Sequence, residues 1–319
     1  MAQTSKLLTK LSRRLFEHPE QQTTFINALT TPPPFAPTIL WTKSRPDPYP
    51  FERLERLPWQ PTPVDRLAPA TQPGKHPLHD TGYFYCLDFS SVFAASVVQT
   101  IDQPISTVLD LCAAPGGKSL LVWQLLQPQL LLSNEVIRKR LRILIANLKR
   151  CGATDAIALN LDPKLIAAAI PETADLVLVD APCSGQSLLA KGDKAPGCFH
   201  PVSINQNANR QKRILAEATH TVAPGGYLAY MTCTYAPEEN EKVCRWLRDR
   251  FPQLQPISVP HLSAFQSPLT EMPCYRLWPQ SGLGAGAFTC LFQDQSPPVT
   301  VTPMSPDFIE RYGFRIYPA

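Results

Sequence analysis

No Cys-x-x-Cys pair occurs among the nine cysteines, so the chain lacks the spacing of common metal-ligand motifs. An odd count without such pairs also speaks against a disulfide framework. Reduced thiols in a cytosolic compartment, with no metal centre, are the expectation. Long apolar runs are absent as well. The most apolar stretches, DLVLVD and QLLLS, have strand length, which excludes a helical membrane span. The N-terminal MAQTSKLLTKLSRRLF is amphipathic and basic, yet has neither the apolar core nor the small-residue cleavage site of a secretory signal. Internal repeats are missing. Charge is not strongly of one sign: 30 Lys and Arg stand against 26 Asp and Glu, a net charge of +4. What remains is an ordinary folded chain of 319 residues, 44% hydrophobic, enough for one large domain or two modest ones.

The texture changes near residue 100. Many of the 35 prolines fall in the first third, in TPPPFAP (Thr31 to Pro37), RPDPYP (Arg45 to Pro50) and LPWQPTP (Leu57 to Pro63). Proline removes a backbone donor and fixes φ, so short elements are expected there: helices near Lys6 to Glu17 and Gln21 to Leu29, then strands and loops. From Ser106 onward, STVLDL, QLLLS, DAIALN, DLVLVD and GYLAYM read as strands. Between them, KSLLVWQLLQ, IRKRLRILIANLKRCG, INQNANRQKRILAEATHTV and PEENEKVCRWLRDR read as helices, with Gly152 at a helix stop. This alternation predicts an α/β fold, a mostly parallel sheet with helices on both faces. After the strand-like GAFTCLFQ the chain turns Pro-rich. Arg138, Lys139, Arg140, Arg142, Lys149 and Arg150 fall in one helix, and Arg210, Lys212 and Arg213 in another. Such runs can track phosphates, although a solvated helix face gives the same pattern.

Between the first sheet strand and its helix lies DLCAAPGGKS (Asp110 to Ser119). Ala113, Ala114, Gly116 and Gly117 let the backbone approach a ligand, and the helix start supplies free N–H groups. A Walker loop would need Gly at position 112, where Cys112 stands, and the GxGxxG fingerprint is missing. A Rossmann-like loop for a ligand without a pyrophosphate remains, with S-adenosylmethionine the leading candidate. Glu135, ending the next strand, is placed to accept both ribose hydroxyls, or else complements a helix dipole. Asp162, after DAIALN, is a candidate acceptor for an adenine amino group, or else a turn residue before Pro163.

Two cysteines follow strands of this sheet: Cys183 in DAPCSG and Cys233 in MTCTY. Strands of an open α/β sheet deliver their last residues to a shared crevice, so the two thiols can meet there. With Asp180 nearby, such a pair suits covalent chemistry on an electrophilic ring carbon, one sulfur attacking and the other helping release. The alternative is two core cysteines packed as small hydrophobes. The flanking Pro182, Gly185, Asp180 and Thr232 describe loop turns and polar partners, which favours a site.

Taken in order, HPLHDTGYFY, DLCAAPGGK, NEVIRKRLRILIANLKRCG, DLVLVDAPCSG, RQKRIL, PGG, TCTYAPEENE and RLWPQ…GAGAF carry a family likeness. The chain resembles the Nop/Sun (Fmu) family of S-adenosylmethionine-dependent RNA cytosine-5 methyltransferases, from about His79 to Phe292. The resemblance implies a class-I Rossmann-like methyltransferase domain at 101–295 with a mostly parallel seven-stranded sheet. A smaller N-terminal α+β, RNA-contacting region at 1–100 would precede it, and a tail at 296–319 would follow. It implies Cys233 as nucleophile, Cys183 as release thiol, and Asp180 and Lys118 as base-contacting groups. Around S-adenosylmethionine it implies Cys112, Ala113, Ala114, Pro115, Gly116, Gly117 and Lys118, with Glu135, Arg140, Asp162 and Asp180. The partner would be ribosomal or transfer RNA presenting a single-stranded or flipped cytosine to a cytoplasmic monomer with no membrane association. Leu87 and Gln280 depart from the residues common in relatives, Gln and His.

The ring sets the chemistry. Cytosine C5 becomes nucleophilic once a thiolate adds at C6. A free cysteine has a pKa of about 8.5, so Lys118 and the helix start are expected to favour the thiolate. Charge developing at O2 and N3 is expected to meet a buried, protonated Asp180. Cys183, directly or through water, would then accept the C5 proton. Phe199, Tyr235 and Tyr275 are candidates for stacking on the base or for the core, and Asn240 for bracing the Cys233 loop. Two other readings stand beside this one. A DNA cytosine-5 methyltransferase uses a Pro-Cys thiol as its sole nucleophile, which the second thiol at Cys233 speaks against. An RNA-binding assembly factor with a relic catalytic domain would not be expected to keep both the nucleophile and the cofactor loop.

Overall fold

The structure, a computed structural model, describes residues 5–297 and 306–317; residues 1–4 and, of the expected tail, 298–305 and 318–319 lie outside the described residues. Leu8, Leu11, Ser12 and Leu15 recur at helical spacing and form the buried stripe of α1 (Lys6–Leu15), which packs on α2 (Pro19–Thr30). The Pro-rich stretch then gives short strands, β1 (Thr38–Trp41), β2 (Val64–Arg66) and, after the one-turn α3 (Pro77–Asp80), β3 (Phe84–Cys86). They pair antiparallel in the order β2-β1-β3. Asp88 caps α4 (Phe89–Ala95) by accepting from the Ser90 N–H at 2.7 Å.

From here strand and helix alternate: β4 (Thr107–Asp110), α5 (Gly117–Leu126), β5 (Leu130–Asn134), α6 (Arg138–Arg150) and β6 (Ala156–Leu159). Next come α7 (Pro163–Ala169), β7 (Ala174–Asp180), α8 (Pro201–Thr219), β8 (Val222–Thr232) and α9 (Glu241–Arg250). The chain continues through β9 (Leu254–Pro256), β10 (Cys274–Leu277), β11 (Ala287–Asp294), α10 (Pro306–Tyr312) and β12 (Phe314–Arg315). Strands β6, β5, β4, β7 and β8 form a parallel centre, extended antiparallel by β11 and β10. That path holds the seven strands expected, but the sheet has nine. β9 pairs with β11, and β12 pairs antiparallel with β6.

Side chains on successive strand residues point to opposite faces, and the core divides accordingly. Val108, Leu131, Leu176 and Ala229 meet Leu120, Leu141, Leu144 and Leu148 of α5 and α6 on one face. Their neighbours Leu109, Leu132, Val177 and Leu228 meet Ile166, Leu215, Val243 and Leu247 of α7, α8 and α9 on the other. Each such Val, Leu or Ile side chain contributes about 1.5–3 kcal/mol by leaving water. The segment before residue 100 is not packed separately. Trp59, Phe89 and Phe93 share a core with Tyr275 and Leu291, while Phe16, just past α1, and Phe25 of α2 pack around Tyr235 and Trp278.

Several elements differ from their expected form. The helix expected from Pro237 begins only at Glu241, because Pro237–Asn240 make a turn that buries Glu239 and Asn240. The helix expected from Ile204 starts earlier, at Pro201, with the His200 ring accepting from the Val202 N–H. Asp162, weighed as a turn residue, caps α7, a helix too short to show in periodicity. The tail, read as Pro-rich sequence, contributes α10 and an edge strand.

Candidate active site

Parallel strands β7, β4, β5 and β6 lie side by side, so their C-terminal ends open on one crevice. Asp180 ends β7, the loop 111–116 follows β4, Glu135 follows β5, and Asp162 lies just past β6. The residues expected around a cofactor thus converge from four strands. Gly116 takes φ +111°, a left-handed conformation that glycine tolerates, and α5 starts after it with no side chain capping its first turn. Those N–H groups remain available to an anionic ligand group. Beneath the loop, the fully buried Asp110 accepts from Ser119 Oγ at 2.7 Å and from the Cys112 N–H at 3.2 Å. Burial pushes its carboxyl up to about 7, against those hydrogen bonds.

Glu135, 3% exposed, accepts from the Ile137 N–H at 2.9 Å and pairs with Arg140 at 3.0 Å. Arg140 reaches on to the Ala114 carbonyl at 2.5 Å, strapping the loop to the end of β5. Asn134, absent from the expected set, stitches the same region by bonding the Leu111 and Leu161 carbonyls and the Leu161 N–H. Asp162 is exposed, with Oδ1 spent on the Lys164 N–H. Carboxylates at adjacent strand ends, opposite free helix N–H groups, fit a nucleoside bearing a charged amino-acid tail.

Beside this crevice the Cys183 and Cys233 sulfurs stand 3.0 Å apart. Cys233 is exposed and Cys183 partly so, which separates them from core cysteines. Lys118 Nζ lies 2.7 Å from Asp180 Oδ2 and 3.4 Å from Ser91 Oγ. A cavity of about 30 Å³ beside Cys233 is lined by Ser91, Lys118, Ser187 and Lys191, the last ion-paired with Asp88. The hydrogen bond from Cys183 lowers the Cys233 thiol from its ordinary value; burial and Asp180 oppose this, and Lys118 adds to it. The same bond, with burial, raises Cys183 well above its ordinary value. Burial would lower the Lys118 ammonium, but the Asp180 carboxylate outweighs it and the net direction is upward. The buried Asp180 expected from the ring chemistry is not what the structure holds. Its side chain is 31% exposed and ion-paired.

The most connected group in the site is one that motif reading passed over. Glu239, fully buried, accepts from the Ser184 N–H at 2.8 Å, Ser184 Oγ at 2.6 Å and Gln211 Nε2 at 3.0 Å. Ser184 Oγ also lies 2.8 Å from Thr234 Oγ1. Since Ser184 adjoins Cys183 and Thr234 adjoins Cys233, one carboxylate ties the two thiol loops together. Desolvation raises its pKa despite these donors. The only sequence signal was an acidic pair in EEN, which reads equally well as helix-start charge. Asn240 does brace the Cys233 loop, donating to the Thr234 carbonyl at 2.9 Å and accepting from Thr232 at 2.6 Å. Gln186, also buried, joins Tyr235 N–H to the Cys198 carbonyl.

Tyr235 and Tyr275 are 1% exposed and belong to the core, while Phe199 is partly buried against the first two helices; none of the three is a free stacking platform. Arg150 of α6 is tied to the His79 and Phe84 carbonyls, whereas Arg138, Lys139, Arg142 and Lys149 face solvent. Cys244, Cys274 and Cys290 meet in the core with their sulfurs within 4.8 Å of one another, a grouping that their sequence spacing hides. Among the described residues it has no fourth His, Cys, Asp or Glu, short of the four ligands of a structural zinc site.

A family model described as 16S rRNA methyltransferase RsmB/F matches residues 99–293. Ribosomal RNA small subunit methyltransferase F of Pectobacterium carotovorum is 36% identical over 175 residues, 54% of this chain and 36% of that protein. The protein of the same name from Cronobacter sakazakii is 35% identical over 207 residues, 63% of this chain and 43% of that protein. The matched stretch therefore spans less than half the length of these curated relatives. Among solved structures, a methyltransferase homologue protein from Pyrococcus horikoshii aligns with TM-score 0.71 at 23% identity, covering 91% of this chain and 99% of that one. NSun6 from Pyrococcus horikoshii with SFG aligns with TM-score 0.70 at 19% identity, covering 92% and 99%. At such identities the likeness is one of fold: a Rossmann-like methyltransferase sheet with an N-terminal helical and β region.

Proposed function

The chain belongs to the 16S rRNA methyltransferase RsmB/F family, and from that premise we propose that it methylates C5 of a cytosine in ribosomal RNA. S-adenosylmethionine is the methyl donor, supplying when bound an electrophilic methyl on a sulfonium. Cys112 to Lys118, with Glu135, Arg140, Asp162 and Asp180, hold it. The target cytosine is single-stranded or flipped out of its stack, and residues 1–100 extend the RNA-contacting surface of a monomer. The observation that carries this reading is the 3.0 Å approach of two thiols beside the Lys118–Asp180 pair. Covalent activation of a pyrimidine needs one sulfur to add and a second group to release it.

Cys233 adds as the thiolate, forming a bond to C6 while ring electrons move toward N3 and O2. Lys118, kept charged by Asp180, meets that charge and supplies the proton. C5, now an enamine carbon, takes the methyl group. Cys183, its own proton first given up to solvent water, or a water beside it, then takes the C5 proton, and the proton lent to the ring returns to Lys118. The ring electrons expel Cys233, breaking the C6–S bond and restoring the thiolate. The test is small-subunit ribosomal RNA incubated with methyl-labelled donor and mapped by bisulfite sequencing. Label confined to one or a few cytosines at C5 is expected; label on ribose or on purines would overturn the reading.

Two further outcomes follow from the site. Glu135→Ala is expected to weaken donor binding by roughly 1.5–3 kcal/mol, since it removes charge-assisted acceptors for the ribose hydroxyls. Calorimetry giving wild-type affinity would remove Glu135 from the cofactor site. The second outcome concerns pH. Cys233 is lowered and Cys183 raised, so rising pH ionises the attacking thiol first and the release thiol later. Adduct formation is expected to reach its plateau at lower pH than product release. The fraction of enzyme trapped on RNA during turnover should therefore fall as the solution becomes more alkaline. Quenched-flow gels across pH check this, and one shared profile for both steps would contradict it.

A further inference from the structure

The first half of α8 borders a cleft of about 660 Å³ that ends at Cys183 and Ser184, and nothing in the mechanism above uses it. Its lining residues on α8 are Ser203, Gln206, Asn207, Asn209, Arg210 and Arg213, a spacing that sets them along one helix face. The opposite stripe, with Ile204, Ala208 and Leu215, is buried in the core. Gln211, between the two stripes, anchors the helix to the Cys183 loop through the Pro182 carbonyl at 3.1 Å. The cleft wall is therefore fixed relative to the thiols.

Its chemistry is one-sided. From Pro201 to Ala216 the helix carries no carboxylate, although the chain holds 26 of them. Arg210 and Arg213 have no acidic partner within ion-pair distance among the described residues, and Asn207 Oδ1 orients Arg210 at 2.6 Å. Guanidinium groups suit phosphate oxygens. Side-chain amides both donate and accept, as a base edge requires. A solvated helix face would ordinarily mix charges of both signs.

We propose that this cleft receives the nucleotide next to the target cytosine, its phosphate against Arg210 and Arg213 and its base edge against Gln206 and Asn209. The proposal rests on the reading of the thiol site as an RNA cytosine site and adds a specificity subsite to it. A nucleotide adjoining the one at Cys233 and Cys183 must lie within one backbone step of those thiols, and the cleft opens there.

The test uses short single-stranded RNA oligonucleotides holding one cytosine, with the flanking nucleotide varied, and the full chain. Arg210→Ala combined with Arg213→Ala is expected to weaken RNA binding at least about tenfold at low salt and to flatten the plot of log affinity against log salt by about 0.7. Donor affinity should stay at its wild-type value. Gln206→Ala combined with Asn209→Ala should level the preferences among flanking nucleotides and leave the salt slope alone. Variants that kept both the wild-type salt slope and the wild-type preferences would overturn the subsite while methylation by the wild type continued. A wild type that neither bound nor methylated RNA would instead defeat the thiol-site reading, and a cleft that captured an acidic peptide in preference to RNA would overturn the subsite.

Discussion

Cys183→Ala is expected to accumulate a covalent enzyme–RNA adduct that survives denaturing electrophoresis, whereas Cys233→Ala forms none and transfers no methyl group. The asymmetry follows from timing. Cys233 is the exposed sulfur whose thiolate is favoured by its partner and by Lys118, so it attacks. Cys183 starts the cycle protonated and acts only when the C5 proton must leave. Its loss leaves attack and one methyl transfer intact but strands the C6–S bond. Loss of Cys233 removes the bond-forming atom, and turnover should drop by several orders of magnitude, as on deletion of other covalent nucleophiles. In a DNA-type mechanism the Pro-Cys thiol attacks, and the two variants would exchange behaviour. If the sulfurs only packed, neither variant would trap RNA and each would lose about 1–3 kcal/mol of stability. The gel decides among the three.

What could be read from the sequence was whatever local pattern controls. Alternating apolar runs gave the parallel strands, and a small-residue loop before a helix gave the cofactor crevice, because these depend on neighbours in the chain. Strand ends could be placed together by the general rule for open sheets, which brings Cys183 and Cys233 to one site. What escaped depends on distant partners. Glu239 sits beside Asn240 in the chain, but its role comes from Ser184 and Gln211, far away in sequence. The Asp180 environment differs from the expected one for the same reason: Lys118 arrives from the first turn of α5, after a different strand, and leaves the carboxylate ion-paired and 31% exposed where burial was expected. Strand β9 and helix α7 are too short for periodicity to reveal. The turn at Pro237–Asn240 is set by the need to bury Glu239, which local helix preference cannot anticipate.

The largest expected loss of stability lies one layer behind the thiols. Arg276, 2% exposed, meets Glu241 with two hydrogen bonds of 2.6 Å, from Nε to Oε1 and from Nη2 to Oε2. Its Nη1 donates to the Tyr235 carbonyl at 3.1 Å, and its guanidinium lies 4.9 Å from the Trp278 ring centre. Glu241 also accepts from Ser267 at 2.6 Å. The pair joins β10, the start of α9 and the segment just past Cys233. Removing one partner leaves the other charged and dry, which costs about 3–5 kcal/mol. Arg276→Met is expected to lower the melting temperature by roughly 4–8 °C in a chain of this size. Glu241→Gln should lower it in the same direction but less, because the amide still accepts from Arg276. The double variant Arg276→Met with Glu241→Leu should cost clearly less than the sum of Arg276→Met and Glu241→Leu measured singly, since no unpaired charge remains buried. Strictly additive losses would mean that the two groups act through separate contacts, Arg276 through Tyr235 and Trp278, Glu241 through Ser267.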